Sequence, residues 1–378
     1  MTSKSAVLVS CFNYYDIRIK YIEKFLMAHS FEVTYITSDF NHISKKHYVI
    51  NRSGTIQVSA LPYKKNLSVR RMVSHYFWSK KVFGCIKSIK PSLLFVILPP
   101  NSLARNVAKY RMKNKAKLIF DIFDLWPETY PLSKNVMLKF PFFIWKRMRD
   151  QYLKVADLVS VECELFENVL GLVNKGIPTK TIYPALDEVS MSVRPKWDNN
   201  IVQLAYLGSI NNIIDIDTIL YLVREIVCFK PVIVHVIGQG ERKVEFIGGL
   251  QESGAVVEDY GVVFDLAKKK VIFDMCHLGL NIMLPNVCVG LSMKSVEYFR
   301  FGLPIINNIP FDTSAMVSTY GAGFNLEPDS ITSIARQIAF MKEEEGMAMR
   351  KGAISIFIDN MSPSAITKKL EEVIDNCG

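Results

Sequence analysis

The stretch Val289-Gly290-Leu291-Ser292-Met293-Lys294-Ser295-Val296-Glu297-Tyr298-Phe299-Arg300-Phe301-Gly302-Leu303-Pro304-Ile305-Ile306 sets a glycine loop, a helix, a stop and a strand in a single run. Residues 292–301 read as a helix with Met293, Val296 and Phe301 facing inward. Gly302-Leu303-Pro304 stops that helix before the apolar strand Ile305-Ile306. Where a loop feeds a helix N-terminus, the first N–H groups, here near Gly290 and Leu291, are unpaired and carry partial positive charge. A phosphate can settle at such an end, with Lys294 one turn further along. Glu297 lies three residues beyond Lys294 on the same helical face and is suited to accept hydrogen bonds from ribose hydroxyls. The plainer alternative is an amphipathic helix whose Lys294 and Glu297 form a solvated pair.

Working outward, the chain shows two α/β halves. In the first, residues 6–10, 33–37, 93–98, 117–121 and 158–161 read as short buried strands, separated by helical stretches such as 17–29 and 69–89. In the second, strands are expected at 202–207, 232–237, 279–282 and 304–307. Strands alternating with helices predict parallel, doubly wound sheets. Residues 185–200 are polar and contain proline, which marks an interdomain linker. A helical run begins near Ile331, and a closing helix spans 363–376.

A length of 378 residues is long for one core and favours two domains. Hydrophobic residues make up 49% and charged residues 22%, which is globular rather than disordered. No apolar run reaches the roughly 18 residues needed to cross a bilayer, and residues 1–10 lack the layout of a secretory signal. A cytosolic protein is expected. Cysteines at 11, 85, 163, 228, 276, 288 and 377 are scattered and never form CxxC, so neither a zinc site nor a disulfide framework is indicated. His235 and His277 lie in apolar strands, where a structural role is expected.

The formal charge of +10 is partly local. Lys134, Lys139, Lys146, Arg147, Arg149 and Lys154 are interleaved with Val136, Met137, Leu138, Phe140, Phe142, Phe143, Ile144, Trp145 and Met148. Residues 134–154 therefore suit an anionic membrane surface, each nearby cation contributing on the order of 1 kcal/mol. The alternative puts the apolar side chains in the core and the cations on a solvated face. Nucleic acid is the other partner of a basic chain, but no recognition module supports it.

A second constellation is Asp121-Ile122-Phe123-Asp124-Leu125-Trp126-Pro127-Glu128. It ends a strand of the first half, where α/β sheets present ligand contacts, and places carboxylates beside a rigid Trp-Pro turn. Asp124 either serves a ligand or caps the Pro127 turn.

The 289–306 stretch resembles the G-[IL]-P-x-K-x-x-E-Y-x-x-x-G-x-P signature of family 4 glycosyltransferases, especially those that assemble bacterial capsule and O-antigen. The resemblance extends upstream over about a hundred residues. Leu204 to Ser209 looks like the first strand and glycine turn of that family's nucleotide-binding domain, and His235 to Glu241 like its "hGxGp" strand end. Tyr260 to Val263 looks like the segment whose backbone reads the base, and Cys276 to Asn281 like the strand before the donor loop. The 121–128 segment resembles the family's "HDLWP" box.

The resemblance implies the GT-B architecture: two Rossmann-like, doubly wound parallel-sheet domains facing a cleft. Residues 1–185 would bind the acceptor, 186–200 link, 201–355 bind the nucleotide sugar, and 356–378 return as a terminal helix to the first domain. It implies a retaining transferase, UDP-sugar favoured, acting on a lipid-linked glycan from the cytoplasmic face of the membrane. Gly208, Ser209, Gly238, Gly240, Val262, Gly290, Leu291, Lys294 and Glu297 would hold the donor. Asp124, Glu128 and Lys294 would serve catalysis, with the leaving phosphate accepting the acceptor's proton. No DxD-type pair stands at the donor loop, so no metal is expected and no cofactor beyond the donor co-substrate.

Three positions depart from the pattern. Phe123 stands where many relatives have His, and Val289 where many have the first Glu of E-x7-E. Ser209-Ile210-Asn211-Asn212 lacks the cation that usually meets the diphosphate, which Arg242 or Lys243 would have to supply. Two rival readings remain: a non-hydrolysing nucleotide-sugar epimerase, recognised by product formed from donor alone, and a non-catalytic GT-B partner subunit.

Overall fold

A computed structural model describes residues 4–129, 139–189 and 197–375. They fall into two compact units, Met1–Ala185 with Ile366–Gly378, and Leu186–Ala365.

In the first unit, strands β1 (Lys4–Ser10), β2 (Phe31–Ser38), β3 (Thr55–Val58), β4 (Leu93–Leu98), β5 (Lys117–Ile122), β6 (Leu158–Val161) and β7 (Thr179–Thr181) form a parallel sheet in the order β3-β2-β1-β4-β5-β6-β7. Helices α1 (Asp16–Ala28), α2 (Val69–Ile89), α3 (Asn101–Lys113), α4 (Lys139–Leu153) and α5 (Glu164–Leu170) connect them. All six residues of β4, Leu-Leu-Phe-Val-Ile-Leu, are buried, as a central strand covered on both faces requires. In the middle of this unit Arg18 of α1 donates to both carboxylate oxygens of Asp121, at 2.6 and 2.7 Å, and Ser160 Oγ donates to the same carboxylate at 2.7 Å. Asp121 is thus committed to the core.

The second unit repeats the plan with β8 (Val202–Leu207), β9 (Val232–Ile237), β10 (Val256–Gly261), β11 (Leu278–Asn281), β12 (Ile305–Asn307) and β13 (Gly323–Asn325), ordered β10-β9-β8-β11-β12-β13 and all parallel. Its helices are α6 (Ile216–Val227), α7 (Lys243–Glu252), α8 (Leu266–Met275), α9 (Met293–Arg300), α10 (Asp312–Tyr320), α11 (Ile331–Phe340) and α12 (Glu343–Asn360); α13 (Pro363–Asp375) follows. Both sheets reverse direction of winding beside their first strand, between β1 and β4 and between β8 and β11. Ligands of doubly wound sheets bind at the carboxyl ends of the strands at such switch points.

The strands expected from apolar runs are all present. Those the runs do not show, β3, β7, β10 and β13, are partly exposed edge strands whose sequences carry no alternating burial pattern.

Of the basic 134–154 stretch, residues 134–138 lie outside the described residues. In α4, Phe142 and Trp145 are buried and pack with Trp126, whereas Phe140, Phe143 and Ile144 are exposed. Arg149, read as a surface cation, is fully buried, because Glu128 and Asp150 neutralise it at 2.6 and 2.8 Å. Among the described residues, no helix is long and apolar enough to cross a membrane.

Candidate functional site

Helix α9 begins as its sequence dictates. Ser292 caps it by accepting the Ser295 N–H, while Ser295 Oγ accepts the Ser292 N–H. It ends at Gly302, whose φ of +62° lets Leu303 N–H reach the Tyr298 carbonyl at 2.9 Å and Gly302 N–H reach that of Phe299. Val296 and Phe301 face inward as expected, but Met293 is 49% exposed, because it is the first helical residue and projects past the core. Tyr298 threads its hydroxyl to the carbonyls of Ala205 and Leu280, at 3.1 and 3.4 Å. A side chain at Gly279 would strike that ring at 2.9 Å. The helix is therefore pinned with its N-terminus at the carboxyl ends of β8 and β11.

Lys294 is the centre of this arrangement. It is 8% exposed, its Nζ lacks any hydrogen-bond partner, and the ammonium lies 4.5 Å from the centroid of the Tyr206 ring. Its Cε passes 3.8 Å from where a Cβ on Gly208 would stand. Burial pushes its pKa down from 10.5 to about 7. A buried cation with no counter-charge is costly, and an anion beside it would remove the cost.

The glycines around it are needed for the close approach of two loops. Gly208, at φ +113°, ends β8, and its carbonyl would be struck at 2.0 Å by a Cβ on Gly238. A Cβ on Gly240 would meet the Ile210 carbonyl at the same distance. Ser209 is exposed and its carbonyl accepts the Tyr206 hydroxyl at 3.0 Å. Gly290 is buried, its carbonyl held by Thr313, and Leu291 is buried beside it. Val262, half exposed, follows β10. These residues thus gather around the carboxyl edge of β8, β9 and β10 and the start of α9.

Glu297 is not the solvated partner of Lys294. Its carboxylate is paired with Lys269 of α8 and, at 3.5 Å, with Arg300, a bracing not visible in the sequence because Lys269 lies on another helix. Val289 packs against the core of the unit, which explains an apolar residue there. Arg242 and Lys243 do not stand in for the cation absent after Gly208. Arg242 pairs with Glu245, while Lys243 pairs with Asp259 at 2.8 Å and donates to the Gly238 carbonyl at 3.1 Å.

In the first unit, Asp124 accepts the Thr129 hydroxyl at 3.1 Å. Burial raises its carboxyl pKa, against the lowering influence of Thr129, Arg71 and Arg149. Glu128 is the counter-ion of Arg149 and Lys146. Phe123 packs edge-on against Tyr15 and under the Arg18 guanidinium, so an aromatic ring is used at that position for packing. Sequence reasoning missed Arg71 of α2. It is 5% exposed, stacks over Trp126 and Phe12 at 5.0 and 5.8 Å, and leaves its Nε unpartnered.

Both histidines serve the fold: His235 stands in β9, whereas His277, expected within a strand, immediately precedes β11. His235 bridges Tyr260 and Gln203 at 3.0 and 2.9 Å, and His277 Nδ1 accepts the Gln203 N–H at 2.9 Å.

No family model matches the sequence, and no curated protein does. Solved structures match its fold over the whole chain. Sucrose-phosphate synthase from Thermosynechococcus elongatus aligns with a TM-score of 0.73 at 13% identity, covering 98% of each chain. Anabaena HepE, solved with UDP and glucose, aligns at 0.65 with 12% identity over 98% of this chain and 99% of its own. WaaG, a glycosyltransferase involved in lipopolysaccharide biosynthesis, gives the same TM-score, identity and coverage. At such identities the likeness is one of fold, and the fold is GT-B.

Proposed function

We propose that this chain is a retaining glycosyltransferase that moves a sugar from a nucleotide-diphosphate sugar, UDP-sugar favoured, to a lipid-linked glycan in the synthesis of a bacterial surface polysaccharide. The observation that carries the reading is Lys294: a buried ammonium without a partner, at a helix N-terminus, on the switch point of the second sheet. That combination is what a diphosphate needs. HepE, of like fold, is described in complex with UDP.

Transfer breaks the bond between the anomeric carbon and the diphosphate. Negative charge then grows on the leaving phosphate, and Lys294 with the first N–H groups of α9 stabilises it. Glu297, fixed by Lys269 and Arg300, presents its remaining lone pairs to the ribose. With Glu128 engaged by Arg149, Asp124 is left to orient the acceptor hydroxyl, whose proton passes to the departing phosphate. Phe140, Phe143 and Ile144, with Arg147, give α4 an exposed apolar and basic face for the cytoplasmic surface of the membrane, and exposed Lys154 follows the helix.

A thermal-shift titration with UDP, GDP, dTDP, ADP and CMP tests the reading. A diphosphate should stabilise the wild type, and the shift should disappear in Glu297→Ala. No shift with any nucleotide would transfer the reading to a non-catalytic partner subunit.

A further inference from the structure

A cavity of about 450 Å³ in the first unit is lined by Lys45, Tyr63, Lys64, Lys65, Ser68 and Arg70, with Pro62. Four of its seven lining residues are cations and none is a carboxylate. None of the four makes an ion pair among the described residues. Lys45 donates to the Asn66 side chain and the His42 carbonyl, and Arg70 to the Pro62 carbonyl, all neutral acceptors. Ser68 caps the N-terminus of the 21-residue α2, whose first N–H groups add partial positive charge.

An independent observation lies directly behind the wall. Arg71, next in sequence to Arg70, is buried with its Nε unpartnered and acts on the Tyr63 hydroxyl that the cavity shares. His75 beside it, 2% exposed, has neither ring nitrogen satisfied, and burial followed by Arg71 keeps it neutral. The protein thus holds a buried guanidinium with an unpartnered Nε beside a cavity whose lining cations face no carboxylate. The like charges repel one another until an anion enters.

We infer that this cavity binds a phosphate group carried by the acceptor. The inference rests on the reading of the first unit as the acceptor half, and it selects phosphorylated acceptors over neutral glycans. The phosphate can belong to a soluble sugar phosphate or to a lipid headgroup.

The test is calorimetric titration of inorganic pyrophosphate into the full chain already saturated with UDP, so that Lys294 is occupied. One further pyrophosphate should bind, and Lys64→Ala with Arg70→Ala, both exposed, should weaken it about tenfold or more while UDP binding is unchanged. Displacement of pyrophosphate by glucose 6-phosphate assigns a sugar-borne phosphate. Sedimentation with phosphatidylglycerol but not phosphatidylcholine vesicles, lost in the double variant, assigns a lipid-borne one. Absence of a saturable second site, or equal binding by the double variant, overturns the inference. If pyrophosphate binds but UDP does not, the cavity stands and the donor reading fails, which separates the two.

Discussion

Lys294→Met is expected to stabilise the protein and to abolish its response to nucleotide. The wild-type ammonium is held at a pKa of about 7 against 10.5 in the unfolded chain. At pH 7 the folded state must therefore lose proton affinity worth about 4 kcal/mol, at about 1.4 kcal/mol per pH unit of displacement. Methionine fills a similar volume and carries no such penalty, although it forgoes a contact with Tyr206 worth roughly 1 kcal/mol. The sign can be checked with pH. Between 7 and 10.5 the unfolded state binds more protons than the folded one, so wild-type stability rises with pH through that window. The penalty is complete below pH 7 and falls by about 2 kcal/mol by pH 9, so the advantage of the variant should shrink accordingly. Urea unfolding at pH 7 and pH 9, with and without UDP at about 100 times its Kd, reads both effects. The nucleotide should add about 2.7 kcal/mol to the wild type and nothing to the variant. A variant less stable than wild type at pH 7, or one that keeps the UDP increment, would refute the assignment of Lys294 as an anion receptor.

Three other outcomes follow from the same structure. UDP binding should take up a proton above pH 7, because the diphosphate restores charge to Lys294, and affinity should fall by up to about tenfold per pH unit from there to pH 9; calorimetry in HEPES and Tris reads the uptake. Asp121→Asn should destabilise the first unit by about 3–5 kcal/mol, because buried Arg18 loses its carboxylate, while UDP binding in the second unit stays intact; denaturant melts and nucleotide titration separate the two. Gly238→Ala should drive a methyl into the Gly208 carbonyl, at a cost of roughly 1–3 kcal/mol, and displace the loop against Lys294, so that stability and the UDP shift fall together.

The fold was legible wherever burial is two-sided. β4, β6, β8 and β9 coincide with their apolar runs because a central parallel strand has no solvent face on which to place polar residues. Edge strands such as Thr179–Thr181 are invisible for the converse reason. Within the site, the backbone parts named from the family resemblance, Gly208, Gly238 and the start of α9, lie together. It misjudged side-chain allegiances, because these depend on partners far away in the chain. Lys294 and Glu297, which the plainer alternative paired on the helix surface, face Tyr206 and Lys269 instead, and Arg149, read as a surface cation, turns inward to a carboxylate twenty-one residues earlier.

Those allegiances carry the functional argument further than any motif. Six cations are buried among the described residues: Arg18, Arg71, Arg149, Lys294, Arg300 and Arg350. Arg18, Arg149 and Arg300 are neutralised by carboxylates, and Arg350 is held by the carbonyls of Gly302, Phe273 and Cys276. A sequence that neutralises or cradles four of six was capable of doing so for the others. Lys294 has no hydrogen-bond partner, and Arg71, whose Nη1 donates to the Asn66 carbonyl, leaves its Nε unpartnered and forms no ion pair among the described residues. Each lies at the carboxyl edge of its own sheet, Lys294 against Gly208 after β8, and Arg71 over Phe12 after β1. Packing alone would have replaced both with apolar side chains, since an unpaired buried charge destabilises by several kcal/mol. Their retention at the two edges where doubly wound sheets bind ligands is consistent with an anion on each side of the reaction: a diphosphate on the donor, and a phosphate on the acceptor.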